Sequence, residues 1–240
     1  MTTIAVAIVC KTPTAGQSKT RLSPPLRPEE CAAISGCFIR DLSGTIGQFA
    51  AGPSVVGYAV YTPSGSEHLL RPLLPDHFGL MAQSDGDLGQ RCVAAIAGLF
   101  GAGHSGAILV NSDSPTLPAQ VLRQAINAVR RGAGVVLSPA LDGGYTLIGL
   151  PRPEPRLFVD IPWSTADVFR VTLERAAEHG LAVTQVPGWY DVDDAASFQM
   201  LEAEFSGVAP PCATGGLVGA AAPATRQFIL DRRAARAAQQ

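Results

Sequence analysis

The chain carries only two lysines, Lys11 and Lys19, and both lie in one short segment that also contains Arg21. The segment follows residues 4–10, a continuous apolar run that is typical of a buried parallel strand. Open α/β sheets bind ligands at the carboxyl ends of their strands, where ammonium groups and a guanidinium suit phosphate oxygens. The segment therefore predicts a polyphosphate site. The alternative is a solvated charged loop.

The same loop matches neither of two common phosphate-binding motifs, although Pro13 and Gly16 restrict its geometry. A Walker A loop requires glycine directly before its lysine, where this chain has Ser18. A dinucleotide-binding fingerprint requires three spaced glycines, and only Gly16 is present. The sequence thus argues against a P-loop ATPase and against a nicotinamide-dependent enzyme.

Acidic residues stand near the ends of two other predicted strands. Asp113 follows the apolar run 106–110, and one carboxylate together with substrate phosphates commonly holds Mg²⁺. Asp191 and Asp193 point to the same side of an extended chain, and two such carboxylates repel each other unless a cation lies between them. The alternatives are a turn at Asp113 and helix capping by Asp193 or Asp194.

Two further segments offer backbone N–H groups to a ligand. Glycines in Asp142-Gly143-Gly144-Tyr145 allow close approach of a phosphate or a sugar, although the same residues also suit an ordinary hairpin turn. Ser164, followed by Thr165, is a good N-cap for a helix that begins there, and the free N–H groups of that helix could instead hold an anion.

Composition limits the class of protein. Apolar residues make up 47% and charged residues 16% of the 240 residues, which predicts a large core and little disorder. A net charge of −2 argues against nucleic-acid and membrane partners, and neither a bilayer-spanning run nor a signal segment is expected. Five scattered cysteines predict a reduced, cytoplasmic protein, and the four histidines have no metal-ligand spacing.

Strand and helix patterns alternate along the chain. Strands are predicted at residues 4–10, 54–62, 79–83, 106–110, 134–138, 145–150 and 182–186. Helices are predicted at residues 28–47, 87–101, 118–131 and 164–179, with a last core helix opening at Asp193 or Asp194. This alternation predicts one three-layer α/β/α domain over residues 1–205, with a mostly parallel mixed sheet covered on both faces.

The composition changes near Ser206. Residues 206–222 are rich in Gly, Ala and Pro, which predicts a flexible linker. Residues 223–240 predict a short basic helical appendage, which either packs back on the domain or frays.

Taken together, five motifs resemble a known family. K-x-P-x-x-G-x-x-K-T-R-L, S-D-S-P-T-L, D-G-G-Y-x-L-I-G-L, P-W-S-T and W-Y-D-V-D follow one another over about residues 4–205. In this order they resemble the GT-A-fold, nucleotide-diphospho-sugar transferase-like proteins often labelled arsenosugar-biosynthesis glycosyltransferases. More distantly, the chain is similar to the 2-phospholactate or phosphoenolpyruvate guanylyltransferases. It departs from many sugar nucleotidyltransferases in lacking G-x-G-x-R and in having Ser-Asp-Ser where others have D-x-D.

The resemblance implies a GT-A fold and a set of site residues. Mg²⁺ (or Mn²⁺) would be held by Asp113, Asp191 and Asp193. The catalytic set would be Lys11, Lys19, Arg21 and Asp113, and the nucleotide phosphates would meet Lys11, Gly16, Lys19, Thr20, Arg21 and Ser112. The acceptor side would consist of Asp142, Gly143, Gly144, Tyr145, Ser164 and Thr165.

These observations predict a Mg²⁺-dependent nucleotidyltransferase that joins a nucleoside triphosphate to a small phosphorylated or sugar acceptor and releases pyrophosphate. The alternative is a glycosyltransferase with a nucleotide-diphospho-sugar donor. Three cations in one loop favour a triphosphate over the less charged sugar diphosphate. A non-catalytic nucleotide-binding regulator is less favoured, because binding alone does not require a cluster of acids beside the basic loop. The expected partners are therefore a nucleotide and a small-molecule acceptor.

Overall fold

A computed structural model describes residues 2–238. Its centre is a seven-stranded sheet in the order β3-β2-β1-β4-β6-β5-β7. The strands are β1 (Ile4–Lys11), β2 (Val55–Thr62), β3 (Gly79–Ala82), β4 (Gly106–Asn111), β5 (Val135–Pro139), β6 (Tyr145–Leu150) and β7 (Val183–Gln185). Only β6 runs antiparallel to its neighbours, and every other pairing in this part of the chain is parallel. The predicted mostly parallel mixed sheet is confirmed.

Helices cover both faces of the sheet. They are α1 (Pro28–Ala50), α2 (Glu67–Leu70), α3 (Leu88–Gly101), α4 (Ala119–Arg130), α5 (Val168–Glu178), α6 (Ala195–Phe205) and α7 (Pro223–Ala237). One core contains apolar residues of α1, α4, α6 and α7, and a second core contains residues of α3 and α5. Alternate residues of β1 enter the two cores, Val6 the first and Ala7 the second. This double burial explains the continuous apolar run of the first strand and confirms the three-layer α/β/α prediction.

The sheet topology brings the functional motifs to one edge. β1 and β4 pair in parallel, with Val9 opposite Asn111, so the segments that follow them leave the sheet side by side. The loop after β7 reaches the same edge, where the Val192 N–H donates to the Asp113 carbonyl at 2.8 Å. Residues far apart in sequence therefore meet at the carboxyl ends of the two central strands.

The predicted helix caps and hairpin turn are present in the structure, except the cap predicted at Ser164. Asp87 caps α3 and Asp194 caps α6, each by accepting the N–H of the third residue beyond it. The turn at Asp142-Gly143-Gly144 connects the antiparallel strands β5 and β6, as an ordinary hairpin does. The N-cap predicted at Ser164 is wrong. Helix α5 begins four residues later, because Ser164 adopts a left-handed conformation with φ of 66° and belongs to a turn before the helix.

The last helix packs back on the domain. α7 lies against α1, and the buried carboxylate of Asp41 in α1 accepts the N–H groups of Ala224 and Thr225 at the start of α7. Before it, the segment 206–222 also touches the domain, since Leu217 is buried and the Ala220 N–H donates to the Thr116 carbonyl. Within residues 2–238, no helix is both long and apolar enough to span a membrane.

Candidate active site

Lys19 lies at the centre of the site. Its side chain is 8% exposed, and its ammonium group donates to the Val192 carbonyl at 2.8 Å and to Asp193 Oδ1 at 2.9 Å. A third contact joins the ammonium nitrogen to Asp113 Oδ1 at 2.7 Å. Because an ammonium group has three hydrogens, these three oxygens use all of its donors. Lys19 therefore connects the basic loop to two of the three predicted metal ligands.

The charges of this triad stabilise one another. Burial by itself lowers the pKa of Lys19, but the charges of Asp113 and Asp193 outweigh it and raise the pKa above its ordinary value. Burial acts in the opposite direction on Asp193 and raises its pKa, but the charge and hydrogen bond of Lys19 outweigh that effect and hold the pKa below its usual range. The ammonium group and the Asp193 carboxylate are consequently both charged at neutral pH.

Asp191 has a different environment. Its Oδ1 accepts a hydrogen bond from Ser114 Oγ. Burial and then the nearby charges of Asp113, Asp142 and Asp193 raise the pKa of Asp191 to about 7. Ser114 was not among the predicted site residues, and its position directly after Asp113 was the only signal of its role. The raised pKa therefore reflects burial first and the neighbouring negative charges second, and a bound cation would offset those charges.

The pKa of Asp191 predicts a pH-dependent stability. The folded protein keeps this proton up to about pH 7, whereas an ordinary aspartate loses it near 3.8. Because Asp191 binds more protons in the folded state in this range, its contribution to the free energy of unfolding falls as pH rises from 3.8 to about 7. The Asp191→Asn variant has no charge at this buried position, and its amide oxygen can still accept the hydrogen bond from Ser114 Oγ. We expect the variant to gain roughly 2 kcal/mol over wild type at pH 8, the full shift being discounted for partial exposure to water.

Urea unfolding of both proteins, without metal or nucleotide, at pH 4.5 and at pH 8 measures this difference. A difference that is the same at the two pH values would contradict the expected protonation of Asp191.

The remaining predicted phosphate-binding residues surround the triad. Arg21 is 75% exposed, and its guanidinium lies 3.4 Å from Asp193 Oδ2. A small cleft of about 180 Å³ is lined by Lys19, Thr20, Arg21, Asp113 and Asp193. Ser112 Oγ donates to Asp113 Oδ1 at 2.9 Å. These residues are brought together, and Arg21 is the cation among them whose side chain reaches solvent.

Lys11 and Gly16 lie at the outer part of the basic loop. Both are exposed, and neither lines the cleft. Across the described residues 2–238, the Lys11 side chain has no ion pair. Gly16 has φ of 72°, a backbone conformation that favours glycine. The two lysines of the loop therefore differ, since Lys19 is buried among acids and Lys11 points to solvent.

A larger cavity of about 490 Å³ opens beside the triad. It contains all three predicted metal ligands and five of the six predicted acceptor residues, namely Asp113, Asp191, Asp193, Asp142, Gly144, Tyr145, Ser164 and Thr165. Gly143 does not line it. Its φ is 91°, and the Ala166 carbonyl oxygen lies only 2.1 Å from where a Cβ would stand, so glycine is required there for the turn. Sequence reasoning missed the apolar wall formed by Leu88, Cys92 and Trp163.

The carboxylates fit a divalent cation that completes its coordination with substrate. Among the described residues, no group of three His, Cys, Asp or Glu side chains is arranged to hold a metal ion. Mg²⁺ does not need three, because it commonly takes one or two carboxylates and fills the rest of its shell with water and phosphate oxygens. The oxygen-only donors and the unbalanced charge around Asp191 match such an ion.

The fold and the site together define a nucleotide-diphospho-sugar transferase-like protein. The solved structures similar to it include a protein of Desulfovibrio desulfuricans G20, provisionally named a nucleotide-diphospho-sugar transferase. The two chains are 26% identical with a TM-score of 0.80, and the match covers 98% of this chain and 96% of the other. The chain belongs to the family described as uncharacterized protein conserved in bacteria, DUF2064, whose model matches residues 45–165.

Two other similar structures show the fold alone. CMP:2-keto-3-deoxy-manno-octonic acid synthetase, in complex with CTP, is 10% identical with a TM-score of 0.56 over 86% of this chain and 99% of the other. The 4-diphosphocytidyl-2C-methyl-D-erythritol synthase of Anaerococcus prevotii DSM 20548 is 9% identical with a TM-score of 0.57, over 85% and 99% respectively. No curated protein matches the sequence of this chain. The resemblance to nucleotide-diphospho-sugar transferase-like proteins is confirmed.

Proposed function

We propose that this protein is a nucleotide-dependent transferase, and specifically a nucleotidyltransferase that joins a nucleoside triphosphate to a small acceptor and releases pyrophosphate. One observation carries the proposal: Lys19 ties the basic loop to Asp113 and Asp193 beside a cavity of about 490 Å³. Cations for phosphate, carboxylates for a metal and space for a second substrate therefore stand together at the sheet edge where α/β folds bind ligands.

Arg21 and Lys11 would bind phosphate, whereas Lys19 would position two carboxylates. Arg21 is free to bind the polyphosphate, and its planar guanidinium can hold two phosphate oxygens at once. Lys11 adds a second, exposed positive charge to the same loop. Lys19 has no hydrogen left for phosphate in this arrangement, so its role is to fix Asp113 and Asp193 in place. Such preorganised charge is the main way in which proteins accelerate phosphoryl transfer.

One or two of the carboxylates of Asp113, Asp191 and Asp193 would hold Mg²⁺ or Mn²⁺, and water and phosphate oxygens would complete its coordination. A divalent ion bound there would supply charge neutralisation at the nucleotide phosphates. Ser112 and Ser114 each donate to one of these carboxylates and so orient them. Thr20 and Gly16 would contribute to the phosphate side of the site.

A glycosyltransferase with a nucleotide-diphospho-sugar donor is the second candidate. The provisional name of the Desulfovibrio protein, which is similar over nearly its whole length, favours it. The commitment of Lys19 to carboxylates also favours it, because Arg21 and Lys11 alone suit a diphosphate as well as a triphosphate. The two candidates differ in the leaving group, which is pyrophosphate in one and a nucleoside diphosphate in the other.

Nucleotide binding is the decisive measurement for the proposal. We expect one or more of the four NTPs or the common NDP-sugars, with Mg²⁺, to stabilise the fold by roughly 2.7 kcal/mol at about 100 times the dissociation constant. In a domain of this size that is about 5–10 °C in melting temperature. Release of pyrophosphate or nucleoside diphosphate, assayed separately with a pool of small acceptors, then distinguishes the two transferases. No shift with any nucleotide, with and without metal, would refute both.

A further inference from the structure

The charges around the 490 Å³ cavity restrict what the second substrate can be. Within the described residues, Arg21 is the only cation among the cavity-lining side chains, and it lies beside Asp193. Four carboxylates line the same cavity: Asp113, Asp142, Asp191 and Asp193. Lys19 offsets Asp113 and Asp193, and the divalent cation of the proposed function would offset Asp191. This leaves Asp142 without an opposing charge within residues 2–238. The cavity is therefore negative at Asp142.

Part of the cavity wall is apolar and aromatic. Tyr145 and the half-buried Trp163 line it together with Leu88 and Cys92. The Tyr145 hydroxyl is buried and has no hydrogen-bond partner in the described structure. This hydroxyl is closed off from the cavity, so the wall offers a ligand only the flat apolar surface of the side chains that line it.

We propose that the acceptor is an uncharged or cationic compound with a flat apolar face and a hydroxyl nucleophile, and that it carries neither phosphate nor carboxylate. Its apolar face packs on Trp163 and Tyr145. Asp142 repels an anionic acceptor and attracts an ammonium group, which an aromatic face also favours. This inference rests on the proposed function and selects among its acceptors.

With this acceptor, the transfer reaction forms one bond to phosphorus and breaks another. Its hydroxyl oxygen forms a bond to the α-phosphorus of the nucleotide. The bond from that phosphorus to the bridging oxygen breaks, and the electron pair leaves with pyrophosphate. The hydroxyl proton passes to a cavity carboxylate and then to water. For a nucleotide-sugar donor, the same oxygen attacks the anomeric carbon and the nucleoside diphosphate leaves.

A matched series of benzyl compounds tests the inference. Benzyl alcohol, benzylamine and benzyl phosphate share one ring and differ in charge at pH 8. Their dissociation constants would be measured calorimetrically on the full chain, loaded with Mg²⁺ and with the nucleotide that gives the largest melting shift. We expect benzylamine and benzyl alcohol to bind at least about tenfold more tightly than benzyl phosphate, because the cavity carboxylate repels the phosphate group. Trp163→Ala should weaken the first two ligands by roughly tenfold.

Charge reversal supplies the control. Asp142→Lys should shift the preference toward benzyl phosphate by at least about tenfold, whereas Asp231→Lys, at an exposed carboxylate of α7, should leave it unchanged. Equal or tighter binding of benzyl phosphate by the wild type overturns the inference, and so does the absence of binding by all three. If no nucleotide binds, the proposed function fails and this inference fails with it. If a nucleotide binds and benzyl phosphate is preferred, only the acceptor assignment fails.

Discussion

Replacing Lys19 with alanine should destabilise the fold by about 3 kcal/mol and lower turnover by roughly 10²–10³-fold. The first effect follows because Asp113 and Asp193 would be left as close, partly buried carboxylates without their cation. The second follows because the two carboxylates would no longer be held for the metal and the phosphates. Urea unfolding without ligands and steady-state kinetics of the nucleotide reaction measure the two effects separately.

The other lysine of the loop is a matched control for this experiment. Lys11→Ala removes the same chemical group from an exposed position, so its unfolding free energy should stay within about 0.5 kcal/mol of wild type. Lys19→Arg should recover part of the stability, since a planar guanidinium keeps the charge but cannot reproduce three converging ammonium bonds. Equal destabilisation by Lys11→Ala and Lys19→Ala would contradict the assignment of Lys19 as the buried cation.

The fold could be predicted from the sequence because its strands are buried on both faces. In β1, Ile4, Val6 and Ile8 enter one core while Ala5 and Ala7 enter the other, and such a strand reads as an unbroken apolar run. The ends of helices were harder to predict. Ser164 is a residue type that favours an N-cap, yet the chain makes a further turn there before α5 begins. Next to this turn, the Phe169 N–H donates to the carbonyl of the distant Gly143. Long-range contacts of this kind leave no local signal.

The site could be predicted from the sequence only in part. Residue type and strand position indicated that the basic loop and the three aspartates belong to one edge of the sheet. Whether a lysine binds phosphate or a carboxylate depends on where its long side chain ends in the folded protein, and the residue type, which is the same for Lys11 and Lys19, does not show this. The role of the Val192 carbonyl could not be predicted, because every residue carries the same backbone group. Nor could the apolar wall, which is formed by α3 and by the turn before α5.

The contrast between Lys19 and Arg21 leads to the second large effect. Arg21 is 75% exposed, and among the described residues its side chain has a single polar contact, to Asp193 at 3.4 Å. Its removal should therefore change the unfolding free energy by less than about 0.5 kcal/mol. It nevertheless lines both the phosphate cleft and the larger cavity. If it stabilises charge that develops on the leaving phosphates, Arg21→Ala should lower turnover by roughly 10²–10³-fold, the scale for one preorganised electrostatic group.

The kinetic constants distinguish this role from simple binding. An interaction that strengthens in the transition state lowers kcat more than it raises KM, whereas uniform binding changes KM alone. We therefore expect most of the loss in kcat, with Arg21→Lys recovering only a fraction of it because an ammonium group lacks the two-pronged geometry. Arg152→Ala, at an exposed arginine outside the site, should leave both constants unchanged. A rise in KM with unchanged kcat would limit Arg21 to nucleotide binding, and the stabilisation of the leaving group would then require another residue.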